Sequence, residues 1–447
     1  MKKKFFMMMI ATLGLSVMDA SAKQWTLRGC IDYALEHNIS LQKTRLTKAS
    51  AEEDILSSKA AFLPSLSAST SQNLGYSPWR DGAVSTVANG QAVSSVDKVY
   101  YNGSYGVNAN WTVWDGHQRS NTLKLNQLAS QMAELDSAQT ANSIQEQIVQ
   151  LYVQILYTTE AVEVNKQSLE TSKKNEERGK TMVEVGKMSK ADLAQLTAQV
   201  AQDQYSIVEQ ESNLRGYKRQ LKQLLQITDE EDFDVAVPST TDEQALADIP
   251  AMRSVYEAAL LSRPEIENAK LDIEQSKLNV SIAKAGILPT VGLNGSVGTS
   301  TNSMSSNSWG NQMKTNFDMG AGVTLSIPLF DQRKTKTAVR KAEIAQQTSQ
   351  LELQNQQTEL WSTIEQYWLD ATTNQNKFKA AKVNTESAQA SYDLLSEQFR
   401  LGLKNIVELM TGKDNLLSAK QSELQSKYMT ILNQQMLKFY KGEDMAI

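Results

Sequence analysis

Four stretches of the chain alternate apolar and polar residues with a period of two. Between Tyr100 and Trp114, the residues Tyr101, Tyr105, Val107, Ala109, Trp111 and Val113 alternate with Asn102, Ser104, Asn108, Asn110 and Thr112. That period places one set on each face of a β-strand. Residues 65–76 put Leu66, Ala68, Leu74 and Tyr76 on one face, with Ser65, Ser67, Ser69, Ser71 and Asn73 on the other. Residues 289–299 alternate Val291, Leu293 and Val297 with Gly292, Asn294 and Ser296. Residues 317–328 alternate Phe317, Met319, Ala321, Val323, Leu325 and Ile327 with Asp318, Gly320, Thr324 and Ser326. Each stretch is about as long as a strand that crosses a bilayer at a tilt. Aromatic residues such as Tyr76, Trp79, Trp114, Trp309 and Phe330 gather near the strand ends, as in an interfacial girdle.

The remainder reads as helix. None of the seven prolines falls between residues 79 and 237 or after 328, and both spans are rich in Gln, Ala, Leu, Glu and Lys. In the second span Leu353, Leu360, Ile364, Tyr367, Ala371, Phe378, Ala381, Ala388, Tyr392, Leu395 and Phe399 step by three, four or seven. This is a narrow coiled-coil seam, suited to zipping helices side by side.

The pattern occurs twice. "ALEHNISLQKTRL" (34–46) answers "ALLSRPEIENAKL" (259–271), and "AAFLPSL" (60–66) answers "AGILPTV" (285–291), both at an offset of 225. "VWDGHQR" answers "LFDQRKT", and "VGKMSKADL" (185–193) answers "LGLKNIVEL" (401–409), both at 216. A tandem duplication follows, with a longer loop in its first half. Repeat one spans 23–226, with strands near 65–76 and 100–114 and a long helix near 117–185. Repeat two spans 252–447, with strands near 289–299 and 317–328 and a long helix near 333–401. In each half a helix of about 35 residues is expected to end at Leu-Pro. An acidic linker, 227–251, has no Lys or Arg before Ala251 and is expected at the waist. At 1.5 Å per residue the long helices reach about 100 Å, and two shorter helices end to end match one long one.

Composition narrows the setting. The chain has 447 residues and a mean hydropathy of -0.42, too polar for a bundle of transmembrane helices. Lys2, Lys3 and Lys4 precede an apolar run that ends in Ala20-x-Ala22, so residues 1–22 read as a secretory signal peptide. The signal carries +2, three lysines less Asp19. The formal charge of -5 therefore becomes -7 for the rest, which argues against a nucleic-acid partner. The one cysteine, Cys30, leaves no intrachain disulfide. "LRGC" faintly resembles a lipoprotein cleavage box. Cys30 is nonetheless in phase with Leu27, Ala34 and Leu35, which predicts a packed helix position rather than a lipidated one.

A membrane sheet must pair all its backbone groups, so it must close. Four strands cannot close alone, so the barrel must be shared between chains, eight strands from two or twelve from three. The duplicated helix–hairpin–helix plan, the Leu-Pro before each hairpin, the aromatic-Asp after it and the two glycine turns together resemble the TolC family of outer membrane efflux proteins. The resemblance covers nearly all of the chain after the signal. It implies a mainly α fold with a membrane β-barrel: a homotrimer with a shared twelve-stranded barrel in the outer membrane of a Gram-negative bacterium and a long periplasmic α-barrel. It implies a passive exit duct in a tripartite efflux or type I secretion system, partnered by a periplasmic adaptor and an inner-membrane transporter. The competing reading is a structural coiled-coil scaffold of the cell envelope, which the nearly charge-free strands disfavour.

No enzyme is expected. His37 and His117 share no ligand spacing with Cys30 or with a carboxylate cluster, and no nucleophile–base set, P-loop or cofactor fingerprint stands out. Met182 and Met188 at helical positions read as packing rather than a soft-metal path. Asp115 and Asp331 head the long helices and are expected to cap them. The resemblance makes the turns around Gly186, Lys187, Ser189 and Asp192 and around Gly402, Leu403 and Asn405 the periplasmic tips that dock the adaptor. It puts Glu408 at the closed constriction. The family pattern often has a second acid three residues on, where this chain has Thr411.

Overall fold

A computed structural model describes residues 24–79, 84–88, 91–95, 98–228, 233–238 and 242–445. The signal peptide expected at 1–22 lies outside the described residues, as do Lys23 and parts of the acidic linker. In chain order the elements are β1 (Gln24–Trp25), α1 (Leu27–His37), α2 (Ile39–Ala60), β2 (Ser65–Tyr76), β3 (Val84–Ala88), β4 (Gln91–Ser95), β5 (Val99–Trp114), α3 (Gln118–Glu184) and α4 (Lys190–Leu224). Then follow β6 (Asp234–Val235), α5 (Asp242–Leu246), α6 (Met252–Ser262), α7 (Pro264–Ala285), β7 (Thr290–Asn302), α8 (Trp309–Thr315), β8 (Asp318–Ser326), α9 (Lys334–Arg400) and α10 (Ile406–Lys441).

The duplication is visible residue by residue. α1 and α6 have 11 residues each, α2 and α7 have 22, and α3 and α9 have 67. The first helix of each half, expected as one piece of about 35 residues, is broken once. Asn38 and Arg263 at the breaks take extended backbone. Pro264 starts α7 and, lacking an N–H, excludes helical geometry from the residue before it. In repeat one no proline enforces the break. Asn38 instead turns its side-chain amide to the carbonyl of Leu224 at 3.0 Å.

β5 and β8 each lead into a long helix through two consecutive left-handed residues: Gly116 and His117 (φ 66° and 69°) before α3, and Gln332 and Arg333 (φ 54° and 68°) before α9. Three of these four carry a Cβ, which costs about 1–2 kcal/mol each in that region. Gly116 is the exception for a second reason. A Cβ there would lie 2.8 Å from that of Leu288.

The chain forms two units. One comprises residues 40–142 and 256–364. It holds an antiparallel sheet in the order β2-β5-β7-β8. The register aligns Ala68, Val107, Val297 and Met319 in one row across all four strands. The row from Leu66 through Ala109 and Gly295 to Ala321 lies on the same face. Between them runs Ser67, Asn108, Ser296 and Gly320 on the opposite face. The apolar face is bare: Leu66, Leu74, Met319, Val323 and Leu325 are 60–77 % exposed. β2 and β8 are the edges of this sheet. The longer loop of repeat one carries the separate hairpin β3–β4.

The other unit comprises residues up to 39, then 143–255 and 365–447. Ile148, Tyr152, Ile155 and Leu156 of α3 are buried, as are Leu221 and Leu225 at the end of α4 and Tyr428, Met436 and Leu437 of α10. Cys30 is fully buried in α1, and burial pushes its thiol up to about 12. β1 pairs in parallel with β6, and the hydroxyl of Tyr152 donates to the carbonyl of Ala236 at 2.7 Å. The acidic stretch after β6 docks here too. Asp242 meets Lys382 at 2.6 Å and Lys427 at 3.3 Å, and Ala245 packs with Phe378 and Ile431.

Candidate functional site: the helix turns and the groove beside them

The two turns that join α3 to α4 and α9 to α10 have the same construction. α3 ends in a double reverse bond, Gly186 N–H to Val183 O at 3.0 Å and Lys187 N–H to Met182 O at 2.8 Å. α9 repeats it, with Gly402 N–H to Phe399 O at 3.0 Å and Leu403 N–H to Gln398 O at 2.9 Å. This closure needs a left-handed residue, and the glycines supply φ of 71° and 77°. Ser189 then caps α4 by accepting from the Asp192 N–H at 3.0 Å.

Asn405 caps α10 more completely. Its Oδ1 accepts from the Glu408 N–H at 2.9 Å, and Glu408 Oε2 accepts from the Asn405 N–H at 3.3 Å. That is a reciprocal capping box. The other oxygen of Glu408 receives Lys404 Nζ at 2.5 Å. The Lys404 ammonium first, and the Asn405 N–H second, hold the Glu408 carboxyl below its ordinary value. Within one chain Glu408 is thus an ionised, internally paired carboxylate.

Beneath the turns Leu196, Tyr392, Phe399, Ile406, Leu409 and Leu416 form an apolar cluster, with Met182 and Met188 packed against it. The methionines therefore fill space. Above it Val185, Leu401, Leu403 and Val407 are 59–71 % exposed. A groove of about 700 Å³ runs along α9 and α10 from Glu408. Its walls are mostly small or polar, Ser387, Ser391, Gly412, Asn415, Ser418 and Ser422 among them, with Leu395 and Val407 the larger apolar members. Glu408 and Thr411 both line it. Gly186, Lys187, Ser189, Gly402, Leu403 and Asn405 are exposed at the turns, and Asp192 is half-buried in the first turn of α4.

At the far end of the long helices, Asp115 Oδ2 accepts from the Arg119 N–H at 3.1 Å and pairs with its guanidinium at 2.8 Å. Asp331 Oδ2 accepts from the Thr335 N–H at 2.7 Å. Among the described residues, no group of three His, Cys, Asp or Glu side chains is placed to hold a metal ion. His37 stacks on Tyr33 with ring centroids 4.1 Å apart.

One polar centre escaped the sequence reading. Lys413 Nζ lies 2.5 Å from Asp203 Oδ2, and both side chains are 5 % exposed. Ser172 Oγ donates to the same oxygen at 2.6 Å, and Gln199 Nε2 to the other at 3.0 Å. Desolvation raises the pKa of neighbouring Asp414, Lys413 opposes that rise, and Asp203 adds to it. The available signal was phase: Lys413 falls between Leu409 and Leu416, and Asp203 between Leu196 and Ile207, on positions otherwise apolar.

Comparison with known proteins agrees with this geometry. The outer membrane efflux protein family model matches residues 30–226 and 255–443. Outer membrane protein TolC of Vibrio cholerae is 22 % identical over 442 residues, covering 97 % of this chain and 94 % of that one. Proteases secretion protein PrtF of Dickeya chrysanthemi is 19 % identical over 428 residues, covering 94 % and 88 %. A solved structure of CusC superposes with a TM-score of 0.77 at 16 % identity, covering 94 % of this chain and 92 % of that one.

Proposed function

This chain belongs to the outer membrane efflux protein family, and from that premise we propose how it works as a trimeric duct. It is an outer membrane channel of the efflux and secretion class. The family is one of channel proteins rather than enzymes.

The reading of the assembly rests on one observation. A four-stranded sheet has one apolar face, one polar face and two edges. Three copies joined edge to edge, β8 to β2, make a closed sheet of twelve strands. The bare apolar face then meets lipid, and the Ser, Asn and Gly face lines water. An envelope scaffold gives such a sheet no reason to exist. The long helices continue the lumen into the periplasm, and the duct itself consumes no fuel.

At the other end, the exposed Val185, Leu401, Leu403 and Val407 suit docking of a periplasmic adaptor's helices. The adaptor joins the duct to an inner-membrane transporter. Gly186, Lys187, Ser189, Asp192, Gly402, Leu403 and Asn405 form the docking tips, and Glu408 of three chains rings the constriction. Asp115 and Asp331 cap the strand-to-helix switches. Mass measurement of the detergent-extracted particle tests the assembly. Three chains are expected, and a stable monomer or dimer refutes it.

A further inference from the structure

The second strand-to-helix junction carries a hollow rimmed by more cations than its duplicate has at equivalent positions. A cavity of about 900 Å³ opens between the C-terminal end of α7 and the first turns of α9. Ile287, Leu288 and Ile344 give it apolar walls. Its rim is cationic, with Lys284, Arg333, Lys336, Arg340 and Lys341. All five are exposed. Only Arg340 has an ion partner, Glu343 at 3.2 Å; among the described residues the other four form no ion pair. Lys334 adds a sixth exposed cation beside them.

The duplication serves as an internal control. Shifting by 216 residues places His117, Gln118, Ser120 and Leu125 where repeat two has Arg333, Lys334, Lys336 and Lys341. Lys124 matches Arg340 and, at the offset of 225 that holds before the hairpins, Lys59 matches Lys284; the other four positions carry no cation in repeat one. The nearby Arg119 is consumed internally: it pairs with Asp115 and lies 5.0 Å over the Phe62 ring. Yet both junctions share the same left-handed backbone pair. Folding the junction therefore does not require the cations, and crowding them there opposes folding through like-charge repulsion. An anion from outside the chain explains them.

The surroundings identify its kind. Leu329 and Phe330, just after β8, are 93 % and 86 % exposed. Bare apolar residues thus pass directly into exposed cations. That step matches the boundary between hydrocarbon and headgroups, where long basic side chains reach for phosphate. A soluble anion has no use for the apolar walls. The carboxylates of a second copy are a poorer match. Glu52, Glu53 and Asp54 lie six or more residues before the end of α2, whereas Lys284, Arg333 and Lys336 sit within a turn of the junction.

We propose that this hollow binds the headgroup of an anionic phospholipid from the periplasmic leaflet of the outer membrane, with an acyl chain against Ile287, Leu288 and Ile344. The proposal rests on the membrane orientation given above. It predicts that lipid composition around the duct is selected at three equivalent points, all from repeat two.

The test is native mass spectrometry of the detergent-extracted particle. It is equilibrated with equal amounts of palmitoyl-oleoyl phosphatidylglycerol and palmitoyl-oleoyl phosphatidylcholine at about 0.15 M salt. Each basic residue near a membrane surface shifts anionic-lipid affinity roughly five-fold. The wild-type particle should retain phosphatidylglycerol about ten-fold or more over phosphatidylcholine. K284Q/R333Q/K336Q should fall to near parity at unchanged particle mass, and Lys124→Gln should keep the preference. Equal retention of both lipids by the wild type overturns the proposal, whether or not the triple variant folds. A triple variant that keeps the preference also overturns it. If that variant dissociates while its chains keep the preference, the cations serve subunit contact and the proposal fails. Planar-bilayer conductance of the same wild-type sample is read separately. No channels there would refute the duct reading rather than the lipid site.

Discussion

Removing Lys413 should harm the protein far more than removing the whole Asp203–Lys413 pair. The charges are 2.5 Å apart with both side chains 5 % exposed. At an effective dielectric of about 20 their gross attraction is roughly 7 kcal/mol. Desolvation costs several kcal/mol per ion, so the net contribution of the intact pair is close to zero. Breaking it is different. Lys413→Met leaves the buried Asp203 carboxylate facing Asp414, with Ser172 and Gln199 as its remaining donors among the described residues. The expected loss is about 4–5 kcal/mol, the upper part of the range for breaking a buried pair. Asp203→Leu should cost about 3 kcal/mol, because Asp414 remains near Lys413. The double variant D203L/K413M should lie within about 1 kcal/mol of wild type or above it. The exposed pair Lys166–Glu211, at 3.4 Å, is the control, and Lys166→Met should cost under about 1 kcal/mol. Denaturant unfolding of the detergent-solubilised protein, followed by helical circular dichroism, gives all four values. A loss below about 1 kcal/mol for Lys413→Met, or a double variant as unstable as the worse single, would show that water reaches the pair.

The other predictions concern the barrel, the turns and the gate. Val107→Arg should destabilise by about 2–4 kcal/mol if Val107 lies near the bilayer midplane, and Asn108→Arg by less; equal losses on refolding into vesicles contradict the facing. Gly402→Ala should cost only the left-handed strain, about 1–2 kcal/mol, because nothing lies within 4 Å of its added Cβ, whereas Gly116→Ala also meets Leu288 and should cost more in the same denaturation assay. In single-channel recordings Glu408→Gln should weaken cation preference and Lys404→Gln should strengthen it, since Lys404 neutralises the carboxylate; unchanged selectivity in both removes Glu408 from the pore lining. Because the Glu408 pKa is lowered from 4.5, its stabilising contribution is complete above that value and is lost as pH falls through the folded-state value. Hydrogen exchange at the first turn of α10 should therefore accelerate only below about pH 4.5, and acceleration already at pH 6 would contradict the pairing.

Much of the fold could be read from local pattern. The period of two in β2 and β5 names the face of most strand residues, though Thr70 and Gln72 are polar on the apolar face and a bulge between Thr112 and Trp114 shifts the phase; the cross-strand rows follow once the strands pair. The offset of 216 predicts equivalent turns at Gly186 and Gly402. What local pattern does not encode was hidden. Glycine flags the left-handed junction at Gly116, but Gln332 and Arg333 adopt the same backbone without that flag. Pro264 announces the break before α7, whereas the break at Asn38 depends on a carbonyl 186 residues away. Asp203 and Lys413 are ordinary exposed types by composition. Only their position on two seams, 210 residues apart, brings them together.

A duplicated chain separates folding from function within one sequence. Features that repeat are those the architecture requires: the left-handed junction, the carboxylate at the head of each long helix, and the glycine-closed turn. Features that diverge at equivalent positions are free to serve something else. Asp192 and Glu408 occupy the same place, yet only Glu408 has the extra methylene to return to its own cap and meet Lys404. Lys404 stands where repeat one has Met188. The cation and the longer acid thus occur together in repeat two, at the turn where the proposed constriction lies. The same reasoning applies to the basic hollow at the opposite end of α9. In both places the departure from symmetry is a set of charges without which repeat one builds the same backbone. A closed trimer repeats each set three times, which gives the lumen and the membrane boundary a pattern that a chain of two identical repeats would double to six.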